Sequence, residues 1–213
     1  MDDIAGIRKE YAMQTLSEED VEVNPFLQFG KWWDEAIKSE LEEINAMTLA
    51  TASANGTPSA RIVLLKAATS EGFVFFTNYD SNKGKELAQN PRACLVFFWS
   101  PLERQIRIEG MVEKINETES DEYFASRPVE SRIGAWASPQ SSVIAAREII
   151  EENVAKYQQE FADGNIPRPP HWGGYIVKPV QVEFWQGRPG RLHDRIQYTL
   201  LEDGGWKIER LAP

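Results

Sequence analysis

Apolar side chains recur at three- and four-residue intervals from Phe26 through Phe29, Trp33, Ile37 and Leu41 to Ile44, a spacing that lays one stripe along a helix. Asn24 followed by Pro25 predicts its start, a capping side chain and then a proline whose fixed φ suits the first helical position. From Met47 the period shortens. Segments 47–53, 59–66, 73–77, 93–99 and 104–114 are rich in β-branched and aromatic residues and predict strands. Asn55-Gly56 and Glu71-Gly72 mark hairpin turns among the first three, which makes those strands antiparallel neighbours. Between the third and fourth, Asp80-Ser81 caps a short helix through Lys85 to Gln89, and Asn90-Pro91 ends it. Gly110 inside the fifth suggests a bulge or a close backbone approach.

The next third of the chain is helical. One helix spans 117–127 and is interrupted by Pro128; a longer one starts at Ser141 or Ser142 and runs through Val143, Ile144, Ile150, Val154, Tyr157 and Phe161 to a close at Asp163-Gly164-Asn165. After a proline-rich loop, Trp172-Gly173-Gly174 leads into a strand ending at Gln186. Gly187, Pro189 and Gly190 form the tight turn into a second strand, on which Arg191, His193 and Arg195 point one way and Leu192 and Asp194 the other. Asp203-Gly204-Gly205 turns into the last strand. Strands, then helices, then strands predict an α+β fold, an antiparallel sheet closed as a barrel to remove its edges. Residues 24–213 are expected to form a single domain, preceded by a flexible polar arm over 1–23 that orders only against something else.

Composition narrows the partners. The 213 residues are 42% hydrophobic, enough for a sizeable core, and carry a formal net charge of -10, which argues against general affinity for nucleic acid or an anionic membrane. Cys94 is the single cysteine, so no intrachain disulfide or multi-cysteine metal site exists, and with two histidines no transition-metal centre is expected. The N-terminus shows neither a basic n-region nor an apolar h-region, and cytoplasmic residence is the expectation.

In so acidic a chain, locally concentrated cations point to a bound anion. Arg61 and Lys66 end an apolar strand roughly 16 Å apart, a span suited to an elongated ligand with an anionic tail and a flat head; the plain alternative is a core strand whose basic ends reach solvent. Thr77, Ser81, Asn82 and Lys83 place hydroxyls, free N–H groups and a lysine at a helix start, which favours negative charge. Tyr123, Arg127 and Ser131 recur every fourth residue, so a helix continuing across Pro128 would stack them on one side, a set able to hold a second phosphate or to be ordinary surface. Phosphate loops of the G-x-G-x-x-G and G-x-x-x-x-G-K types are absent.

Taken in order, Arg61-Ile-Val-Leu-Leu-Lys66, Glu103-Arg-Gln105, Tyr123-Phe-x-Ser-Arg127-Pro, Ser131-Arg-Ile-Gly-Ala-Trp136, Gln140-Ser141-Ser142, Trp172-Gly-Gly, Glu183-Phe-Trp185-Gln-Gly, Arg191-Leu-His193-Asp-Arg195 and the closing Ile208-Glu-Arg-Leu-Ala-Pro213 resemble the pyridoxamine 5'-phosphate oxidase family from Arg8 to Pro213. The resemblance implies a split β-barrel homodimer holding FMN at the subunit interface, each site drawing on both chains. It implies oxidation of pyridoxamine 5'-phosphate or pyridoxine 5'-phosphate to pyridoxal 5'-phosphate, with dioxygen reduced to hydrogen peroxide. Carried over by position, it assigns Arg61, Ile62, Val63, Leu64, Lys66, Phe76 and Thr77 to FMN, together with Asn82, Lys83, Gln105, Gln140, Ser141, Trp185 and Arg195. Lys66, Tyr123, Arg127, Ser131, Arg191 and His193 are implied for the substrate, and Arg8 to Tyr11 match a segment that covers it. Phe76 stands where a tyrosine is common and Asn82 where an arginine often is, which puts the tightness of FMN binding in question.

On this reading flavin supplies the redox chemistry and the protein positions the substrate over it. Arg191 and His193 are expected to orient the pyridine ring, with Arg195 offsetting charge on the reduced flavin, while His171 packs or faces solvent. A non-catalytic flavin or pyridoxal-phosphate carrier of the same fold, and a reductase using another flavin-like cofactor, are the alternatives.

Overall fold

A computed structural model of the chain describes residues 4–6 and 9–213; Arg8 lies outside the described residues. The helices are α1 (Pro25–Lys38), α2 (Asn82–Gln89), α3 (Glu117–Ala125), α4 (Val129–Ala137) and α5 (Glu148–Glu160). The strands are β1 (Ala46–Ala52), β2 (Pro58–Leu64), β3 (Ala67–Thr69), β4 (Gly72–Asn78), β5 (Arg92–Trp99), β6 (Arg104–Lys114), β7 (Trp172–Gln186), β8 (Asp194–Leu200) and β9 (Trp206–Arg210). They form one sheet in the order β2-β1-β5-β6-β7-β4-β3, with β8 also on β7 and β9 on β8. The β3–β4, β4–β7, β7–β8 and β8–β9 pairings are all antiparallel. Contacts divide the chain into two compact units, one of Met1–Leu49, Cys94–Gly110 and Pro179–Pro213, the other of Ala50–Ala93 and Met111–Lys178.

In the first unit α1 begins as its sequence predicts, the Asn24 side chain accepting from the Phe26 N–H ahead of Pro25. It stops earlier than the apolar spacing suggests. The Ser39 hydroxyl donates to the Ala36 carbonyl and Glu40 turns left-handed at φ 56°, so Leu41 and Ile44 fall outside the helix. The buried stripe is therefore Phe29, Trp32 and Ala36, with Ile37 facing out. Trp32 meets Phe184 edge-on at 5.2 Å, and Phe184 meets Tyr198 at 5.6 Å. Aromatic contacts of this kind help hold α1 in place.

Residues 12–16 of the arm are tied down within the same unit. Glu103 Oε2 accepts from the N–H groups of Ala12 and Met13, Asp194 accepts from the Leu16 N–H, and Arg210 donates to the Leu16 carbonyl.

The turn between β7 and β8 differs from expectation. Pro189–Arg191 forms a short 3-10 turn in which Gly190 and Arg191 both have φ 63°, and β8 starts only at Asp194. Extended alternation is lost before Arg195, so Arg191, His193 and Arg195 do not share one strand face.

In the second unit Ser81 caps α2, its side chain accepting from the Gly84 N–H. Phe76 and Thr77 on β4 pair with Gly174 and Gly173 on β7. A Cβ on Gly173 would lie 2.1 Å from Tyr79 Oη, and one on Gly174 would lie 2.4 Å from Ile115 Cδ1, which is why two glycines follow Trp172.

Pro128 interrupts the helix as the sequence predicts: it adopts φ -52° and ψ 146° and acts as the N-cap of α4, so the stacking of Tyr123, Arg127 and Ser131 that a continuous helix would give does not form. One helical expectation is corrected. The last helix begins at Glu148, since Ser141 is left-handed at φ 67° and Val143 is fully exposed. A helix without a face to pack against is not stable on spacing alone.

Candidate functional site

The second unit encloses a cavity of ≈ 850 Å³ whose lining comes from β2, the end of β4, the start of α2, the elbow between α3 and α4, and Gln140. That volume suits a sizeable organic ligand. Its cationic end is built at α2. Lys83 is buried, and its Nζ donates to Ser81 Oγ at 3.4 Å and Gln140 Oε1 at 3.3 Å, with no ion-pair partner among the described residues. Burial, then the Arg61 charge, hold its ammonium pKa below the usual lysine value, against the opposing pull of Glu86. A bound anion would reverse that penalty.

Arg61 on β2 is oriented from behind. Its Nη1 donates to Thr51 Oγ1 at 2.5 Å and its Nη2 to Ser59 Oγ at 2.6 Å, while Nη2 lies 3.4 Å from Glu86 Oε2. Both hydroxyls donate in turn to Glu86 Oε2, at 2.5 and 2.7 Å. Burial pushes the Glu86 carboxyl upward, but these hydrogen bonds and the Arg61 charge together hold it below the usual carboxylate range. Sequence reasoning did not single out Glu86, the partner of Arg61; its single signal is its place on the helix that carries Lys83.

The opposite end is the α3–α4 elbow. Bending at Pro128 brings Tyr123, Arg127 and Ser131 to the same cavity that a straight helix was expected to give them. Arg127 lies over the Trp172 ring at 4.6 Å, and its Nη1 is buried without a hydrogen-bond partner. Burial lowers its pKa, so this is a desolvated guanidinium with an unmet donor. Phe76 stacks on Tyr123 at 3.9 Å and on Trp172 at 5.5 Å, and the Tyr123 and Trp172 planes differ by 5°. Three nearly parallel rings form an aromatic stack in the cavity lining. Trp172 was quoted in the sequence only as part of a motif; its place in this stack was not foreseen.

Arg61, Ile62, Val63, Leu64, Lys66, Phe76, Thr77, Lys83 and Gln140 thus line one cavity with Tyr123, Arg127 and Ser131. Separated cations beside stacked aromatic rings fit a ligand with an anionic tail and a planar ring system. FMN, the cofactor implied by the resemblance, matches this donor set: Lys83 and the α2 start suit its phosphate, and the buried unpartnered Arg127 nitrogen suits a second anion.

Arg191 and His193 line a different pocket, of ≈ 380 Å³ within the first unit, together with Lys9, Glu10, Tyr11 and Arg188. His193 Nδ1 accepts from the Arg188 N–H at 3.1 Å, which leaves its proton on Nε2. Its ring lies 4.5 Å from Trp185, and Tyr11 meets Trp185 edge-on at 5.8 Å.

The remaining candidates are not in the lining of either pocket. Arg195 is occupied by Glu183 and the Ala212 carbonyl. Gln105 is half-buried on β6, Asn82 is exposed at the first position of α2, and Ser141 is exposed in the loop before α5. His171 Nε2 lies 3.2 Å from the Ala135 carbonyl, in keeping with a packing role.

Residues 33–161 match the family described as "Pyridoxamine 5'-phosphate oxidase", and residues 172–213 match "Pyridoxine 5'-phosphate oxidase C-terminal dimerisation region". The chain belongs to the pyridoxamine 5'-phosphate oxidase family. It is 57% identical over 210 residues to the pyridoxine/pyridoxamine 5'-phosphate oxidase of Trichormus variabilis, covering 99% of this chain and 98% of that protein. It is also 57% identical over 213 residues to the enzyme of the same name from Cupriavidus metallidurans, covering 100% of both. Such relatives place it among oxidoreductases, and the match to a dimerisation region supports a homodimer. Among solved structures, PhzG from Burkholderia lata 383, in complex with tetrahydrophenazine-1-carboxylic acid, superposes with a TM-score of 0.88 at 29% identity, covering 96% of this chain and 100% of that one. An FMN-binding protein from Nostoc punctiforme shares the fold, with a TM-score of 0.68 at 18% identity over 94% of this chain and 100% of that one. The fold is the antiparallel split barrel expected from the sequence. Among the described residues no helix is long and apolar enough to cross a membrane.

Proposed function

We propose that the protein binds FMN and oxidises pyridoxamine 5'-phosphate and pyridoxine 5'-phosphate to pyridoxal 5'-phosphate, with dioxygen as acceptor and hydrogen peroxide as product, in the cytoplasm. The observation that carries this reading is that Arg61, Lys66, Lys83 and Arg127 line one cavity together with the Phe76, Tyr123 and Trp172 stack. Two anions and planar rings are what such a cavity can hold. Lys83 and Thr77 would take the FMN phosphate, with Arg61 pre-oriented by Glu86 beside it. Lys66, Tyr123, Arg127 and Ser131 would take the substrate phosphate, the guanidinium offering a planar fork.

Bound FMN supplies the two-electron acceptor that no side chain here provides. The chain's own work is to hold the substrate still and exclude competing reactions. In the homodimer, where the resemblance implies that each site draws on both copies, Arg191 and His193 serve the pyridine ring and its C4' substituent. His193 does so neutral, with its Nε2 proton available to donate.

An anaerobic titration of the purified yellow protein with pyridoxamine 5'-phosphate tests this. Bleaching of the flavin, and peroxide formation once air is admitted, are the expected results; flavin that neither vitamer bleaches would leave the carrier reading. The likeness to PhzG favours a second reading, a fused-ring carboxylic acid as substrate, which the same titration would reveal by bleaching with that acid and not with either vitamer.

A further inference from the structure

Glu103 sits left-handed at φ 56° between a short 3-10 turn and β6, is 4% exposed, and makes two unrelated attachments. Its side-chain Oε2 accepts from the N–H groups of Ala12 at 2.8 Å and Met13 at 3.1 Å. Its backbone carbonyl accepts from the Gly187 N–H at 2.7 Å, immediately after β7. One residue therefore ties the arm to the turn that leads to Arg191 and His193. Gly187 is the matching half of the joint: a Cβ there would lie 2.8 Å from Tyr11 Cβ. Tyr11 occupies that notch with its ring against Trp185 and 6.1 Å from His193. Lys9, Glu10 and Tyr11 then form one side of the Arg191/His193 pocket.

We infer that Glu103 is a positioning residue whose carboxylate seats the arm, so that Tyr11 walls the pocket of Arg191 and His193 and retains substrate there. This rests on the function proposed above. A carboxylate accepting two backbone N–H bonds is a strong anchor, and an N-terminal segment without one frays. The anchor acts on binding, since Glu103 touches neither Arg191 nor His193. Its loss should appear in KM and spare both kcat and FMN content.

The test uses the full-length FMN-loaded protein, measuring backbone amide exchange over 9–16, FMN stoichiometry, and kcat and KM for pyridoxamine 5'-phosphate. In Glu103→Ala, exchange at Ala12 and Met13 should quicken at least tenfold and KM should rise at least fivefold, with kcat and FMN content within twofold of the parent. Glu103→Gln keeps one oxygen acceptor and should recover part of both. Gly187→Ala, which leaves the carboxylate in place and crowds Tyr11, should raise KM by a similar factor. Parental exchange and KM in Glu103→Ala would overturn the inference; where that variant fails to fold, an unchanged KM in Gly187→Ala would do so. If the parent protein does not oxidise pyridoxamine 5'-phosphate, the functional reading falls, while amide exchange in Glu103→Ala still decides whether Glu103 anchors the arm.

Discussion

Arg195 grips Glu183 through two bonds, Nε to Oε1 at 2.7 Å and Nη2 to Oε2 at 3.1 Å. Arg107 approaches the same carboxylate at 3.3 Å, and the Glu183 side chain is 3% exposed. Removing that carboxylate leaves two guanidinium groups facing each other with their shared partner gone. Glu183→Ala should cost about 2 kcal/mol, since both cations keep some access to water, and lower Tm by roughly 4–8 °C for a chain of this size. Thermal unfolding measures it; an unchanged Tm would mean that the pair contributes nothing.

Lys83 is a buried ammonium whose hydrogen-bond acceptors are neutral oxygens. If it holds the FMN phosphate, Lys83→Met should weaken FMN binding by about 10- to 100-fold, the worth of one charge-assisted contact. Riboflavin, which lacks the phosphate, should bind both proteins alike. Equal losses for the two flavins in a fluorescence titration would assign Lys83 to packing instead.

Arg127 combines a ring beneath it with a buried nitrogen that has no partner. A lysine at this position keeps the charge and loses the planar fork. Arg127→Lys should raise KM for pyridoxamine 5'-phosphate about tenfold or more and leave turnover of unphosphorylated pyridoxamine unchanged. Steady-state kinetics on the two amines separates phosphate recognition from a general disturbance of the cavity.

Burial first, and then the neighbouring Arg191 charge, hold His193 below the ordinary histidine pKa. The Arg188 N–H, which needs Nδ1 as an acceptor, opposes protonation in the same direction. A base with a depressed folded-state pKa stays neutral while the unfolded chain takes up its proton. Its contribution to stability is therefore present above pH 6.5 and lost as pH falls through that value towards the folded pKa. In an NMR titration of the two histidines, His193 should titrate below 6.5, and Arg191→Met should move its midpoint only part of the way back, because burial is the larger cause. A midpoint at or above 6.5 in the parent protein would contradict the partly buried, acceptor-paired geometry.

Features encoded within a few residues were readable in the chain. The Asn24-Pro25 start of α1, the Ser81 cap of α2 and the strand over 104–114 each depend on neighbours in sequence. Features decided by distant packing were not. Val143 and Ile144 have helical spacing, yet nothing covers Val143 and α5 begins only after them. Alternation from Arg191 to Arg195 presumes extended backbone, which the left-handed Arg191 interrupts. The three-residue β3 is too short to carry a period of its own and exists through its pairing with β4.

By itself the sequence determined the family, because its motifs recur in order along nearly the whole chain, and it determined the local elements, because caps, turns and apolar periods act over one or two turns of backbone. Tertiary structure alone decided which cations meet. It set Arg61 against Glu86, folded Arg127 over Trp172 at the Pro128 bend, and gave Arg191 and His193 a pocket walled by Tyr11. Coulomb attraction, desolvation and ring packing depend on separation in space, which distance along the chain does not fix.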